Sequence, residues 1–389
     1  MAKANLSHVQ TTFDTAMNAI PAQVGARLDE IDTPALIVDL DAFDHNLRKM
    51  AGFAQASAVR LRPHAKTHKC PTIAMKQIAA GAVGQCCQKV GEAEALVRGG
   101  VRDVLVSNQV VGVQKLRRLA ALATDATIGL CFDAVEQVDA ASRAAVEFGV
   151  TIDGMVEIDV GMQRCGVAPG QAASDLAQRI AAAPGLRFRG LQAYHGTAQH
   201  LPRLDARELA ILTAAASVQA TLDALARDGV PCEIVSGAGT GTFRLEGGNG
   251  LWNELQAGSY IFMDADYARI GDRDGGRYTE FRHSLFVLAT VMSVPTADRA
   301  IVDAGLKSYS GEKGPPWVHD RDDLEVVGVS DEHGKLKVGP QARAPRLGEK
   351  LMLIPGHCDP TVNLHDWYVA VRGGRVEALW PITARGASN

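Results

Sequence analysis

Residues 61–69 carry four basic side chains at alternating positions: Arg62, His64, Lys66 and His68. In an extended segment these side chains share one face, because successive residues of a strand point to opposite faces. Crowding of cations in a concave site would lower the pKa of the lysine, through like-charge repulsion and desolvation. An uncharged lysine amine is a nucleophile toward aldehydes. The alternative is a solvated basic edge strand, which Pro63 favours.

A glycine-rich turn, Ser-Gly-Ala-Gly-Thr-Gly-Thr, occupies residues 236–242 after the seventh candidate strand of a repeating pattern described below. Glycines let backbone N–H groups converge on an anion, and the loops after the last strands of a large barrel often bind phosphate. A second segment, residues 258–260, ends the eighth candidate strand and would complete such a cradle. A tight turn that needs glycine only for its conformation is the alternative.

Two other candidate strands end in polar residues. Arg164 lies in the turn at residues 159–166, where its guanidinium could reach a phenolate or a phosphate, or simply be solvated. Tyr194, His195 and His200 follow another apolar strand. Two imidazoles beyond a buried strand indicate proton transfer or metal binding.

Near the carboxyl end, His357 and Asp359 are two residues apart and therefore lie on the same side of an extended segment. An imidazole and a carboxylate can share a divalent cation whose other positions are filled by water. The alternative is a hydrogen-bonded turn, since dedicated metal sites usually have more protein ligands.

The composition is that of a globular protein. Of the 389 residues, 47% are hydrophobic and 22% are charged. A formal net charge of −4 gives no electrostatic reason to expect nucleic acid or an anionic membrane surface as a partner. The first 24 residues lack a continuous apolar run, so we expect no signal peptide and no membrane span. The seven cysteines form no CxxC pair, which favours reduced thiols in a cytoplasmic enzyme.

Between residues 60 and 262 the sequence alternates eight candidate strands with helix-like segments, which is typical of repeated βαβ units. A doubly wound open sheet would show the same alternation. Polar residues, however, stand at the carboxyl ends of successive strands, and in a (β/α)8 TIM-type barrel these ends converge on one mouth. We therefore expect the barrel, with this set at its mouth: Lys66, Gln88, Asn108, Asp159, His195 and Ser236.

From residue 284 onward strand follows strand without helices, and Gly373-Gly374 is a tight hairpin signal. This pattern predicts a separate antiparallel β domain. We expect an amino-terminal arm over residues 1–30, the α/β barrel over residues 31–280 and the β domain over residues 281–389. The strand near Leu36, which precedes the barrel, is expected to join the β domain.

Taken in order, five motifs resemble those of a known family: Arg-Pro-His-x-Lys, Asp-x-Gly-x-x-Arg-x-Gly, the glycine-rich loop, Gly-Ser-Tyr and His-x-Asp. The chain resembles the fold-type III pyridoxal-phosphate enzymes, the alanine-racemase-like group, and within them D-threonine aldolase and 3-hydroxyaspartate aldolase. The resemblance extends from about residue 32 to residue 386 and leaves the first 30 residues uncovered.

The resemblance implies that Lys66 carries pyridoxal phosphate and that Arg164 lies beside the phenolic oxygen of the cofactor. Gln256 stands where alanine racemases have an arginine that faces the pyridine nitrogen, and the racemase's opposing tyrosine base is not identifiable, which disfavours racemization. The resemblance also implies that Tyr194 is part of the cofactor site. The phosphate is assigned to Gly239, Thr240, Gly241, Ser259 and Tyr260.

The resemblance also assigns a divalent metal to His357 and Asp359. Related dehydratases have His-x-Cys at these positions, and oxygen ligation favours manganese or magnesium over zinc. An aldolase is therefore expected, cleaving D-threonine or 3-hydroxyaspartate to glycine and acetaldehyde or glyoxylate, with His200 or a hydroxide on the metal as base. A second substrate carboxylate would need a cation, for which the candidates are Arg62, His68 and Arg385.

Three other functions compete with the aldolase. They are a dehydratase that gives a 2-oxo acid and ammonia, a non-catalytic pyridoxal-phosphate-binding barrel and a cofactor-free Schiff-base aldolase. The resemblance further implies a homodimer, in which the β domain of one subunit faces the barrel mouth of the other.

Overall fold

Eight parallel strands form one sheet of this computed structural model, which describes residues 20–272 and 276–389. Most of the expected amino-terminal arm, residues 1–19, lies outside the described residues. The first strand, β1 (Ala35–Asp39), belongs to a different sheet. The eight parallel strands are β2 (Arg60–Leu61), β3 (Gln85–Cys87), β4 (Asp103–Val106), β5 (Thr127–Phe132), β6 (Ile152–Glu157), β7 (Leu186–Ala193), β8 (Ile234–Gly237) and β9 (Glu254–Leu255).

The parallel sheet closes on itself. Its hydrogen-bonded order runs from β2 through β9, β8, β7, β6, β5 and β4 to β3. The two ends meet where His64 forms a parallel bridge with Cys86, and Cys86 N donates to the carbonyl oxygen of Pro63 at 2.8 Å. The expected (β/α)8 barrel is confirmed, and the open sheet is excluded because β2 and β3 have no free edge here.

Helices cover the outside of the barrel, and each of α2 to α9 follows one of the strands β2 to β9. In α4, for example, Leu116 and Leu119 are buried against the sheet while Gln114 and Arg117 face solvent. The helices are α1 (Leu40–Ala56), α2 (Pro71–Ala79), α3 (Val90–Arg98), α4 (Val113–Leu122), α5 (Val135–Phe148), α6 (Gln171–Ala182), α7 (Leu204–Arg227), α8 (Phe243–Gly247), α9 (Ala265–Ala268) and, in the β domain, α10 (Cys358–Val362).

Helix α7 is, within the described part of the chain, the one helix that is long and apolar enough to cross a membrane by length and composition. In the structure it covers the barrel after β7. Ala214, Val218 and Leu225 belong to the main core, whereas Leu209 and Leu212 on the other side are exposed. A helix that packs on a buried parallel sheet needs such an apolar face, so its composition has a structural reason.

The second sheet forms the β domain and is largely antiparallel. β1 lies inside it, antiparallel to β10 and parallel to β16, and the two-residue strand β12 was not expected from the sequence. The sheet order is β13-β14-β11-β10-β1-β16-β17, with β15 paired to β10 and β12. Its later strands are β10 (Leu285–Thr296), β11 (Arg299–Val302), β12 (Trp317–Val318), β13 (Leu324–Val329), β14 (Gly334–Val338), β15 (Lys350–Ile354), β16 (Trp367–Arg372) and β17 (Arg375–Pro381).

The β domain is joined to the barrel near its mouth. Tyr368 of β16 donates its phenol proton to the carbonyl oxygen of His68 at 2.7 Å. The backbone N–H of Cys358, which begins α10, donates to Asp264 Oδ2 at 2.9 Å. The first bond joins β16 to the loop that follows β2, and the second joins the start of α10 to the loop that follows β9.

Candidate active site

A cavity opens at the carboxyl ends of the barrel strands. This is the end at which barrel enzymes place their catalytic groups. The cavity is mostly polar in its lining. Its lining residues are His64, Lys66, Thr67, Gln88, Ser107, Arg164, Gln192, Tyr194, Ala238, Gly239, Thr240, Gln256, Gly258, Ser259 and Tyr267.

The lysine lies on a turn rather than on a strand. β2 ends at Leu61, and Ala65–Thr67 forms a single 3-10 turn. The expected row of four cations on one extended face is therefore wrong. A hydrogen bond between residues two apart supports the turn: the backbone N–H of Lys66 donates to His64 Nδ1 at 3.4 Å.

Two of the four basic residues point away from the cavity. Arg62 is buried and binds Glu254 Oε1 at 3.1 Å and Asp103 Oδ1 at 2.6 Å. Asp103 is the first residue of β4, so Arg62 faces the amino-terminal end of the barrel. His68 is fully buried, and its Nδ1 accepts the backbone N–H of Cys70 at 3.1 Å.

The amine of Lys66 faces a carboxylate from the β domain. Lys66 Nζ lies 3.4 Å from Asp359 Oδ2. The Asp359 carboxylate raises the pKa of Lys66 above its ordinary value, against the opposing effect of burial. The expectation of a lowered pKa was wrong because it counted the neighbouring cations of the sequence and not this distant anion.

Arg164 lies in the cavity beside Tyr194. Its guanidinium carbon is 5.9 Å from the centre of the Tyr194 ring, within cation–π range. Its Nη2 is 3.6 Å from Glu157 Oε1, and Gln109 Nε2 donates to the other Glu157 oxygen at 2.7 Å. Burial raises the pKa of the Tyr194 phenol, so this phenol keeps its proton at neutral pH.

The glycine-rich turn forms one wall of the cavity, with Gly239 and Thr240 in the lining. Thr240 Oγ1 is buried and has no hydrogen-bond partner among the residues that the structure describes. A Cβ atom at Gly239 would lie 2.5 Å from Gln199 Oε1, so the close approach requires glycine. The same Gln199 oxygen accepts the backbone N–H of Gly241 at 3.0 Å, which occupies one of the donors assigned to the phosphate.

Ser259 also lines the cavity, whereas the side chain of Tyr260 points into the core. Gln77 Nε2 donates to the Tyr260 phenol oxygen at 3.1 Å. Only the backbone of Tyr260 is therefore available to an anion in the cavity.

The cavity fits pyridoxal phosphate. Lys66 Nζ provides an amine for an aldehyde, and the unpartnered Thr240 hydroxyl, with the glycine backbone around it, provides donors for a phosphate. Gln256 lies on the floor with Gln192, and the two amides bond to each other.

Asp359 reaches the cavity through its contact with Lys66, and His357 lies two residues before it. His357 Nδ1 lies 2.6 Å from Glu312 Oε1, so its Nε2 is the nitrogen available to a metal. Burial raises the pKa of Asp359, but Lys66 and His357 outweigh it and lower that pKa to about 2. No group of three metal-binding side chains occurs in the described ranges. A charged carboxylate and an oriented imidazole still fit a cation that keeps water ligands, as Mg²⁺ does.

His200 is not among the residues that line the cavity, but it contacts Tyr267, which is. Its Nδ1 is 2.8 Å from Asp266 Oδ2, and its ring centre is 5.1 Å from that of Tyr267. Burial would raise the pKa of Asp266, but the contact with His200 outweighs it and that pKa is lowered. The two atoms, His200 Nδ1 and Asp266 Oδ2, are close, but neither has a hydrogen-bond partner among the described residues.

The three residues suggested for a substrate carboxylate are not brought to the cavity. Arg62 and His68 are bound elsewhere, and Arg385 Nη1 pairs with Asp366 Oδ1 at 3.0 Å on the surface. Sequence reasoning also missed Ser107 and Tyr267, which line the cavity. Ser107 directly follows β4, so the rule that selects polar residues at strand ends, which selected its neighbour Asn108, would have found it.

The barrel and the β domain each match the model of a known protein family. The family model of the alanine racemase amino-terminal domain matches residues 38–266, and that of a serine dehydratase domain matches residues 284–371. The chain is 46% identical over 389 residues to 3-hydroxy-D-aspartate aldolase of Paracoccus denitrificans, covering 99% of both chains.

A crystal structure of D-threonine aldolase from Filomicrobium marinum superimposes with a TM-score of 0.91 at 49% identity, covering 94% of this chain and 99% of the other. A D-threo-3-hydroxyaspartate dehydratase of Delftia is more distant, with 32% identity over 90% of this chain and 97% of its own. The chain belongs to the alanine-racemase-like family of fold-type III pyridoxal-phosphate enzymes, in the group that contains D-threonine aldolase and 3-hydroxy-D-aspartate aldolase.

Proposed function

We propose that the chain is an aldolase, dependent on pyridoxal phosphate and a divalent metal, that cleaves D-configured 3-hydroxy amino acids to glycine and an aldehyde. The observation that supports this most directly is the contact between Lys66 and Asp359. It brings the amine that would hold the cofactor next to the carboxylate that would hold the metal. The similarity to two aldolases over nearly the whole chain supports the same reaction.

In this proposal Lys66 holds the aldehyde carbon of the cofactor, Arg164 lies near its phenolic oxygen and Gln256 lies near its ring nitrogen. Pyridoxal phosphate supplies an electron sink for the charge left at Cα when the Cα–Cβ bond breaks. Tyr194 completes the cofactor site. Thr240 and the backbone at residues 239–240 and 259–260 would hold the phosphate, whereas the Gly241 N–H is bound to Gln199.

The β-hydroxyl of the substrate loses its proton as the aldehyde forms. His357 and Asp359 would hold manganese or magnesium, which supplies a Lewis acid for this hydroxyl. His200 is the proposed base for this proton, and Asp266 Oδ2, which lies 2.8 Å from its Nδ1, is the group that would orient the imidazole.

The second candidate is a dehydratase of the same substrates, favoured by the match of residues 284–371 to a serine dehydratase domain. The two reactions share the cofactor and the metal. In the dehydratase the hydroxyl leaves as water, whereas in the aldolase its oxygen becomes part of the product aldehyde. Asp359 in place of a cysteine ligand favours the aldolase, since a carboxylate prefers the harder cations.

Product identification decides between them. Purified protein is incubated with D-threonine and with both diastereomers of D-3-hydroxyaspartate, with and without manganese. Glycine with acetaldehyde or glyoxylate is expected. A 2-oxo acid with ammonia would establish the dehydratase instead. Lys66→Ala is the control, and it should lose both the activity and the visible absorption of bound cofactor.

We also propose a homodimer and a cytoplasmic location, which the resemblance and the reduced cysteines support. Both cysteines of the Cys86-Cys87 pair are buried thiols. Sedimentation velocity with parallel activity measurements tests the dimer. A fully active monomer would contradict it.

A further inference from the structure

A chain of buried polar side chains runs from the floor of the cavity to the opposite end of the barrel. Such chains are rare in barrel interiors, which apolar side chains usually fill. All but the last member are at least nine-tenths buried. In order from the cavity the members are Gln192, Gln256, Ser236, Glu254, Arg62 and Asp103.

The cavity end consists of two amides and a hydroxyl. Gln192 Nε2 donates to Gln256 Oε1 at 3.1 Å, and Gln256 Nε2 donates back to Gln192 Oε1 at 2.6 Å. Gln256 Nε2 also donates to Ser236 Oγ at 2.8 Å. An amide nitrogen carries two protons, so both protons of Gln256 are used within the protein.

The far end consists of charges. Ser236 Oγ donates to Glu254 Oε1 at 2.8 Å, and the same carboxylate binds Arg62 Nε at 3.1 Å. Arg62 also binds both oxygens of Asp103, at 2.6 Å and 3.3 Å. Burial opposes the charge of Arg62, but Glu254 and Asp103 outweigh it and raise its pKa. The guanidinium is therefore charged, and Glu254 Oε1 accepts the proton of its Nε.

The charged end sets the direction of every hydrogen bond in the chain. Glu254 Oε1 accepts hydrogen bonds from both Arg62 and Ser236, so the single proton of Ser236 is used on it. The hydroxyl oxygen of Ser236 must then accept from its other neighbour, and that neighbour must be the nitrogen of Gln256. A turned Gln256 amide would place two acceptors against each other in a buried position, which is costly.

We infer that Ser236, Glu254 and Arg62 are positioning residues that hold the Gln256 amide in one orientation, with only its carbonyl oxygen available to the cofactor ring. An acceptor at this position stabilises the protonated form of the ring nitrogen. The inference rests on the proposed function, because that function places Gln256 near the ring nitrogen. The inference gives Arg62 a role at the cofactor, although Arg62 lies outside the cavity.

The experiment measures the protonation state of the cofactor ring nitrogen. Wild-type protein and variants are reconstituted with pyridoxal phosphate labelled with ¹⁵N in the ring, and the ¹⁵N chemical shift is measured by NMR. The wild type is expected at the shift of a protonated pyridine. In Ser236→Ala, Gln256 loses an acceptor and its amide is free to turn, so the signal should move toward the unprotonated value.

Glu254→Gln is the second variant, because its amide can donate to Ser236 and reverse the chain of donors. The same movement of the signal is expected. If this variant fails to fold because Arg62 loses an ion pair, Ser236→Ala still decides. Arg60→Met is the matched control, since Arg60 binds Asn253 Oδ1 at 3.2 Å outside the chain and should leave the signal unchanged.

The outcomes separate this inference from the proposed function. An unprotonated ring nitrogen in the wild type, or no movement in Ser236→Ala, overturns the inference while the cofactor remains bound. Absence of labelled cofactor on the wild type overturns the proposed function itself. Visible absorption of the same samples records whether the cofactor is bound.

Discussion

At the scale of single residues, the candidate site depends on one contact between the barrel and the β domain, that of Lys66 Nζ with Asp359 Oδ2. Lys66 was found because of the residue types around it, and it does lie in the cavity. The alternation rule that placed Arg62 and His68 beside it failed because it assumes an extended backbone, and the strand ends at Leu61. The contact with Asp359 joins two distant parts of the chain and leaves no local signal in either.

The first prediction concerns the metal ligands at this scale. Asp359→Asn should weaken manganese binding strongly, because it removes the charged ligand. Glu312→Gln should weaken it by about 10- to 100-fold, the usual effect of removing a partner that orients a metal-binding imidazole. Titration calorimetry of the cofactor-free protein with Mn²⁺ measures both. Glu332→Gln changes an exposed glutamate of the same domain, which pairs with Lys307, and is the control.

Equal affinity for Mn²⁺ in Asp359→Asn and in the wild type would exclude Asp359 as a ligand. Equal affinity in Glu312→Gln alone would leave the metal site in place and remove only the orienting role of Glu312.

At the scale of elements, the order of strands and helices was predictable because each barrel unit repeats the same pattern. The position of β1 in the β domain followed from a simple argument, since a strand before the barrel has no partner there. Close backbone contacts were not predictable. Gly190 in β7 has φ +152°, and a Cβ there would lie 1.9 Å from the carbonyl oxygen of Ile234 on β8.

A pair of glycine substitutions tests this contact. Gly190→Ala should lower the free energy of unfolding by more than about 3 kcal/mol, because two strands must separate to admit the methyl group. Gly52→Ala should raise it by about 0.5–1 kcal/mol, because Gly52 lies in α1 with open space around it. Urea denaturation measures both. Wild-type stability of Gly190→Ala would show that the register of β7 and β8 is different.

Helix α8 contains a buried carboxyl group that links stability to pH. Burial raises the pKa of Glu246 from 4.5 to about 7. Between these values the folded protein holds a proton that the unfolded chain has lost, so stability must fall as pH rises. The wild type should lose up to about 3 kcal/mol between pH 4.5 and pH 8 relative to Glu246→Gln, at 1.36 kcal/mol per pKa unit.

Urea denaturation at pH 5 and at pH 8 measures this difference, with both proteins in the same cofactor state. Glu208→Gln, an exposed glutamate of α7, should show the same pH dependence as the wild type. An equal change in the free energy of unfolding with pH for the wild type and Glu246→Gln would mean that Glu246 is ionised in the folded protein.

At the scale of the whole molecule, the barrel and the β domain share one core. The main cluster of buried apolar residues contains Leu36 from β1, Leu130 from the barrel and Leu353 from the β domain. β1 is bonded on one side to β10 and on the other to β16, so the second sheet cannot form without the start of the chain. The candidate site is also formed by both domains, because the barrel provides Lys66 and the β domain provides Asp359.

This shared core predicts that the chain unfolds in a single cooperative transition, although chains with two domains often do not. The calorimetric and van't Hoff enthalpies of unfolding should agree, and far-UV circular dichroism should give the same midpoint as tryptophan fluorescence. Tyr368→Phe removes the hydrogen bond to the carbonyl oxygen of His68 and should lower the midpoint without splitting the transition. Two separate transitions would show that the barrel and the β domain are independent, and the position of β1 inside the second sheet would then need another explanation.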